Sequence, residues 1–128
     1  MKTLTLIVLL TTSQFAHALT KSEQTCLALN IYHEGRSLPV KDWKKIASVA
    51  INRSKIFGKY KFGAKSKHLC DIVKSNEYPS HKKFKNKILE PKLYNKIFSF
   101  VRSNKTYVPN ILFFELKGTK HIYSTTLN

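Results

Sequence analysis

Two cysteines, Cys26 and Cys70, are the only ones in the chain, and they restrict its possible folds more than any other feature. They lie 44 positions apart, so pairing would hold two distant segments together. Disulfides form in oxidising, exported compartments. Closing a loop of this length restricts the unfolded chain and stabilises the fold by roughly 3 to 4 kcal/mol. We predict a disulfide, with two buried free thiols as the alternative.

The beginning of the chain has the pattern of a secretory signal peptide. Lys2 precedes an apolar stretch at 4–10, and Ala16-His17-Ala18 places small residues at the two positions that a signal peptidase reads. The stretch is shorter than the roughly 20 apolar residues that span a bilayer. We predict residues 1–18 as a signal peptide cleaved near Ala18, and 19–128 as one domain in the periplasm or outside the cell. An uncleaved anchor is the alternative.

The charge of the chain indicates which partners it attracts. Its 23 basic and seven acidic residues give a net charge of +16, and removal of the leader with Lys2 lowers this to +15. Such a field draws a protein toward polyanions. After export, anionic envelope polymers and lipid headgroups are the expected partners, and nucleic acid is not. Taken singly, most of these lysines are expected only to keep the chain soluble.

Apolar periodicity predicts a mainly helical α+β domain with a short C-terminal β-hairpin. Thr20 and Glu23 form a capping box that opens a first helix, and Gly35 stands where a C-terminal cap is expected. Further helices are predicted from Val40, over 69–74 and from Pro91, with loops over 57–67 and 75–87. The β-rich runs "ILFFE" and "HIYST" on either side of Gly118 predict the hairpin.

Glu34 closes the apolar run of the first helix in a chain that has few acids. A carboxylate at a helix C-terminus opposes the macrodipole, so the position is unfavourable unless something else holds it. Apolar neighbours and the helix end both predict a raised pKa for this carboxyl, the condition for a general acid near neutral pH. The alternatives are catalysis, or a salt bridge to Arg36 or to one of the lysines.

Other catalytic and metal motifs fail. A zinc protease motif that starts at His33-Glu34 would need a second histidine at position 37, which is Ser37. The remaining histidines have no ligand spacing, and no G-x-S-x-G turn occurs. We therefore expect no metal and no cofactor.

The chain resembles the cell wall hydrolases related to spore cortex-lytic enzymes over Leu27 to Ser80. The resemblance rests on Ile31-Tyr32-His33-Glu34-Gly35-Arg36, Val49-Ala50-Ile51-Asn52-Arg53, Cys70-Asp71-Ile72-Val73, Glu77-Tyr78 and Ser80, with a fainter echo in His121-Ile122-Tyr123. It implies a small lysozyme-like fold and cleavage of peptidoglycan glycan strands. The chain departs from the family pattern at Gly35, at Glu77 and at Pro79.

The resemblance implies that Glu34 is the catalytic acid and base, that Tyr78 lies on the substrate cleft, and that Asn52 supports it. Tyr123 is a candidate for stacking on a sugar, as tyrosines do, although a structural role is the more frequent one. Glu77 lies in the predicted cleft loop and is the remaining candidate for contact with substrate.

The count of acids bears on the reaction. A glycosidic oxygen leaves only after protonation by a carboxylic acid, and hydrolases usually need a second carboxylate. Asp42, Asp71 and Glu90 are expected to be capping or solvated residues, and of the remaining acids Glu77 alone lies in the predicted cleft loop. A lytic transglycosylase needs Glu34 alone, because the 6-hydroxyl of the muramic acid attacks and gives a 1,6-anhydro product. We therefore predict that the protein cleaves the MurNAc-GlcNAc bond as a lytic transglycosylase. A monomer is the expected state for a small secreted wall enzyme.

A cationic module without turnover is the competing hypothesis. Lys82-Lys83-Phe84-Lys85 interleaves charge with an aromatic ring, as in proteins that hold single-stranded nucleic acid, although the leader argues against that ligand. Such a module would act on envelopes through charge. An inhibitor or adaptor built on an inactive lysozyme-like fold is a third hypothesis.

Overall fold

The computed structural model describes residues 19–75, 87–104, 106–117 and 120–125 of the chain. The predicted leader, 1–18, and the predicted site residues Glu77 and Tyr78 lie outside these ranges. Among the helices that are described, none is both long enough and apolar enough to cross a membrane.

Four helices and one hairpin make up the described part of the chain, which confirms the predicted α+β architecture. The helices are α1 (Lys21–Gly35), α2 (Val40–Lys55), α3 (Leu69–Val73) and α4 (Pro91–Ser103). The strands are β1 (Phe113–Lys117) and β2 (Lys120–Ser124), which pair antiparallel with Phe114 opposite Tyr123.

Local signals in the sequence account for where the helices begin. The predicted capping box is present: the Glu23 N–H donates to the Thr20 hydroxyl at 3.2 Å, and the Thr20 N–H donates to the Glu23 carboxylate at 3.1 Å. Pro91 stands in the first turn of α4, where its missing N–H costs nothing. These signals fix the ends of two helices independently of the tertiary structure.

Helix α1 is the central element, because the three other helices all pack against it. Its side chains Leu27, Ala28, Ile31 and Tyr32 are almost fully buried. From α2, the predicted apolar face of Trp43, Ile46, Ala47 and Ala50 closes over it, and α3 and α4 add Leu69, Ile72, Ile97 and Val101. The core therefore surrounds the helix that carries Glu34 in its last turn.

The hydroxyl of Tyr32 joins α1 to the start of α4. It accepts the N–H of Leu89 at 3.0 Å and the N–H of Glu90 at 2.9 Å. The side chain of Glu90 caps nothing at this end of the helix and instead lies 3.8 Å from the Arg36 guanidinium. A buried tyrosine thus satisfies the N–H of the N-cap residue, which a helix start leaves open, and the N–H of the residue before it.

The predicted disulfide is confirmed: Cys26 of α1 and Cys70 of α3 are bonded, with their Cα atoms 5.2 Å apart. Helix α3 has only five residues. Isolated helices this short are unstable in water. The bond to α1 and the burial of Leu69 and Ile72 are therefore what hold it in place.

Replacement of both cysteines by alanine is expected to lower the free energy of unfolding by about 4 kcal/mol, the value for a closed loop of this length. Urea unfolding followed by circular dichroism measures the loss. Reduction of the wild-type protein is the control, since it should bring stability to the same level without a change of sequence. Equal stability of the oxidised and reduced proteins would contradict the expectation.

Candidate functional site

Glu34 is the penultimate residue of α1 and is partly buried. The chain then turns through residues 36–39 and enters α2, so the end of one helix lies beside the start of the next. Two hydrogen bonds fix this turn: the Trp43 indole N–H donates to the Gly35 carbonyl at 2.8 Å, and the Leu38 N–H donates to the same oxygen at 2.9 Å. The backbone that carries Glu34 is therefore held firmly.

The predicted capping role of Gly35 is wrong, because the helix continues through this residue and Arg36 is the cap. Close packing explains the glycine instead. A Cβ at position 35 would lie 2.6 Å from Cδ1 of Ile46 and 3.4 Å from Cδ1 of Trp43. The missing side chain lets α2 approach α1 next to Glu34.

A carboxylate from α2 and a tyrosine from β2 meet near the end of α1. The Tyr123 hydroxyl donates a hydrogen bond to Oδ1 of Asp42 at 3.2 Å. The ammonium of Lys45, one turn further along α2, lies 5.3 Å from the centre of the Tyr123 ring. The hairpin thus contacts the first turn of α2, 81 residues earlier in the sequence.

Glu34 belongs to this cluster. The pKa of Tyr123 is raised far above its usual range, first by burial, then by the charge of Asp42 and its hydrogen bond, and then by the charge of Glu34. A negative charge opposes the ionisation of a phenol with a strength that falls with distance, and the effect of Glu34 is the smallest of those that raise this pKa. Tyr123 therefore stays neutral, with its proton directed to Asp42 and with Glu34 nearby. Glu34, Asp42 and Tyr123 are named the carboxylate cluster below.

Of the predicted site residues, the structure brings Glu34 and Tyr123 together and adds Asp42, which had been expected to be a cap or a solvated residue. Asp42 is partly buried and accepts a hydrogen bond from the phenol hydroxyl. One signal for it was present in the sequence. A connection of only four residues, 36–39, requires the first turn of α2 to lie near the last turn of α1.

Asn52 lies near the other end of α2, ten residues from Asp42, or about 15 Å along a helix. Its amide donates to the carbonyls of Val108 at 2.9 Å and of Ile111 at 3.0 Å. One turn earlier, the Ser48 hydroxyl accepts the Val108 N–H at 2.8 Å. Two side chains of α2 thus bind the backbone of the 108–112 segment, which leads directly into β1.

Arg53 binds the same segment. Its Nε–H donates to the Leu112 carbonyl at 2.7 Å, and its guanidinium contacts two neighbouring rings, 4.7 Å from the centre of Phe62 and 5.1 Å from that of Phe113. Only 2% of the residue is exposed. Cation–π contacts of this kind are strongest where water is excluded. Asn52 and Arg53 of the family-like motif therefore attach the hairpin to α2.

His33 and the other candidate ligands show no metal-binding arrangement. Within the described ranges, no group of three or more histidine, cysteine or acidic side chains is placed to hold a metal ion. The pKa of His33 is lowered by burial and by the nearby Arg36 charge, so the imidazole is neutral at physiological pH. Its ring makes an edge contact with Tyr32 at 5.1 Å between centres.

No protein-family model, curated protein or solved structure matches the chain. The resemblance to cell wall hydrolases therefore rests on the residues quoted above.

Replacement of Asp42 by asparagine is expected to lower the pKa of Tyr123, because it removes the nearest charge and weakens the acceptor of its proton. NMR titration of ring-labelled tyrosines measures this pKa. Tyr94 is the internal control: its pKa is raised by burial alone and should not move. An unchanged Tyr123 titration in Asp42→Asn would contradict the cluster geometry.

The raised pKa of Tyr123 also predicts a dependence of stability on pH. Because the phenol ionises more easily in the unfolded chain, its contribution is complete below about pH 10 and is lost as the pH rises toward its folded pKa.

The isosteric Asn52→Asp change is expected to lower the free energy of unfolding by at least about 2 kcal/mol at neutral pH, since two hydrogen bonds to carbonyl oxygens are lost. Repulsion from these oxygens raises the pKa of the introduced carboxyl. Once protonated, this carboxyl can donate one hydrogen bond, so the loss of unfolding free energy should shrink as the pH falls. Urea unfolding at neutral and acidic pH measures both effects. Asn95→Asp on the exposed face of α4 is the control and should show neither.

Proposed function

We propose that the protein is an exported enzyme that cleaves peptidoglycan glycan strands at the MurNAc-GlcNAc bond, with Glu34 as its acid and base. The observation that carries the proposal is the placement of Glu34: a partly buried carboxylate on a fixed helix end, close to a neutral tyrosine that a second carboxylate holds. The resemblance to cell wall hydrolases assigns the same residue to catalysis.

The chemistry needs a carboxyl group that can give and take a proton. In the first step Glu34 protonates the glycosidic oxygen as the sugar gains oxocarbenium character. The resulting carboxylate then accepts the proton of the attacking hydroxyl group. In a transglycosylase that hydroxyl is the 6-hydroxyl of the same muramic acid, and the product is a 1,6-anhydro sugar.

Asp42 gives the cluster a second carboxylate, which the sequence had not suggested. An inverting hydrolase would use such a group to activate water on the opposite face of the sugar. In this structure Asp42 accepts a hydrogen bond from the Tyr123 hydroxyl, and we assign it to holding that hydroxyl. This assignment keeps the transglycosylase reaction, in which Glu34 is sufficient, as the proposed one.

A cationic envelope-binding module is the second candidate function, and the net charge of +16 favours it. It requires no particular carboxylate. The two candidates therefore differ in their dependence on Glu34. Loss of this acid would disable an enzyme, whereas it would only make a cationic module slightly more positive.

Replacement of Glu34 by glutamine is expected to lower the release of fragments from purified peptidoglycan by about 10²-fold to 10⁴-fold, the usual contribution of a general acid–base group. Mass spectrometry of the soluble fragments measures the loss. Glu90→Gln is the matched control, because it makes the same change at an exposed carboxylate, and it should retain activity. Thermal unfolding of both variants checks that they fold.

The products distinguish the possible reactions. Anhydro-muropeptides released by the wild type and not by Glu34→Gln support the proposed transglycosylase. Reducing-end sugars, together with an equally deep loss of fragment release in Asp42→Asn, would instead indicate a hydrolase that uses two carboxylates. Activity of Glu34→Gln within a few-fold of the wild type would reject Glu34 as the catalytic residue.

A further inference from the structure

A pocket of about 380 Å³ opens at the C-terminal end of α2, on the side where the 108–112 segment passes. This volume is within the range of small-ligand sites, about 300 to 1,000 Å³. Its lining is apolar at Ile56, Pro109 and Leu112, and polar or charged at Asn52, Lys55, Lys59, Tyr107, Asn110 and Thr125. It is named the α2-end pocket below.

Positive charge dominates the α2-end pocket. Two ammonium groups, Lys55 and Lys59, border it, and none of the residues that line it is acidic. The Lys55 ammonium lies 4.0 Å from the centre of the Tyr107 ring and contacts the Tyr107 hydroxyl. The end of the helix dipole contributes only about half a negative charge, less than the two ammonium groups supply.

The walls of the pocket are held by the hydrogen bonds already described. The Asn52 amide donates hydrogen bonds to the carbonyls of Val108 and Ile111. Asn110, which lies between these two residues in the sequence, has a left-handed φ of 67°. Asparagine adopts this conformation more readily than most residues. The backbone wall of the pocket is therefore preformed, and a ligand would lose little free energy in ordering it.

The pocket is distinct from the carboxylate cluster. Lys55 lies 13 residues after Asp42 on the same helix. This separation corresponds to about 20 Å along the axis. A single sugar cannot reach both places, whereas a polymer can.

We propose that the α2-end pocket binds an anionic group, phosphate or carboxylate, carried by an envelope polymer. The choice of an envelope polymer rests on the proposed function, while the anion binding rests on the pocket alone. The two ammonium groups bind the anion, and the apolar wall with Tyr107 receives the sugar or glycerol unit that carries it. Glu34 takes no part in this binding.

NMR titration of the Glu34→Gln protein, in which turnover is expected to be negligible, tests the proposal. Glycerol 3-phosphate and N-acetylmuramic acid serve as the phosphate and carboxylate probes at constant ionic strength. We expect amide shifts concentrated around residues 52–59 and 107–112. We expect about tenfold weaker binding in Lys55→Gln/Lys59→Gln, equivalent to about 1.4 kcal/mol. The probe that binds more tightly identifies the type of anion.

The double variant Lys92→Gln/Lys96→Gln is the matched control, because it removes the same charge from exposed positions on α4. It should leave binding unchanged. Equal weakening in both double variants, or shifts spread over the whole surface, would overturn the proposal in favour of general attraction by the net charge. The single Lys59→Gln variant keeps the contact between Lys55 and Tyr107 and should show part of the loss. None of these outcomes depends on whether the protein cleaves glycan.

Discussion

The attachment of the 108–112 segment to α2 is the interaction on which both proposed sites depend. Ser48, Asn52 and Arg53 together bind one backbone N–H and three carbonyls of this segment. The segment leads into β1, and β2 returns from it with Tyr123. The hydrogen bonds at one end of α2 therefore decide where the hairpin places a phenol at the other end. They also form a wall of the α2-end pocket.

The sequence predicted the parts of the fold that local chemistry determines. The capping box, the apolar face of α2 and the proline that opens α4 each act within a few residues, and each appears in the structure as expected. The disulfide was also predictable, because the chain has only two cysteines and a leader-like start. The prediction for Gly35 was wrong because the glycine is explained by close packing against Ile46 of another helix. Neighbouring residues in the sequence indicate only a helix cap.

The site was predictable only in part, for a related reason. Glu34 stood out because its helix position is unfavourable, which is a local property. Asp42 has an unremarkable position in the first turn of a helix, and its contact with Tyr123 spans 81 residues of sequence. The resemblance places Asn52 near Tyr78 as a supporting polar group, and the structure adds that its amide binds backbone 56 and 59 residues further on. Helical periodicity carries no information about such partners.

Two charges on α2, Asp42 near its start and Lys55 at its end, fit both its macrodipole and the proposed chemistry, while Lys41, Lys44 and Lys45 also lie in its first two turns. Asp42 lies at the positive N-terminal end, and Lys55 lies at the negative C-terminal end. The four-residue turn, 36–39, also brings the positive end of α2 next to the end of α1, where the dipole of α1 opposes the charge of Glu34. An anionic polymer would be repelled by the carboxylate cluster and attracted by the lysines. Binding its acidic groups about 20 Å away would leave the uncharged glycosidic bond as the part that meets Glu34.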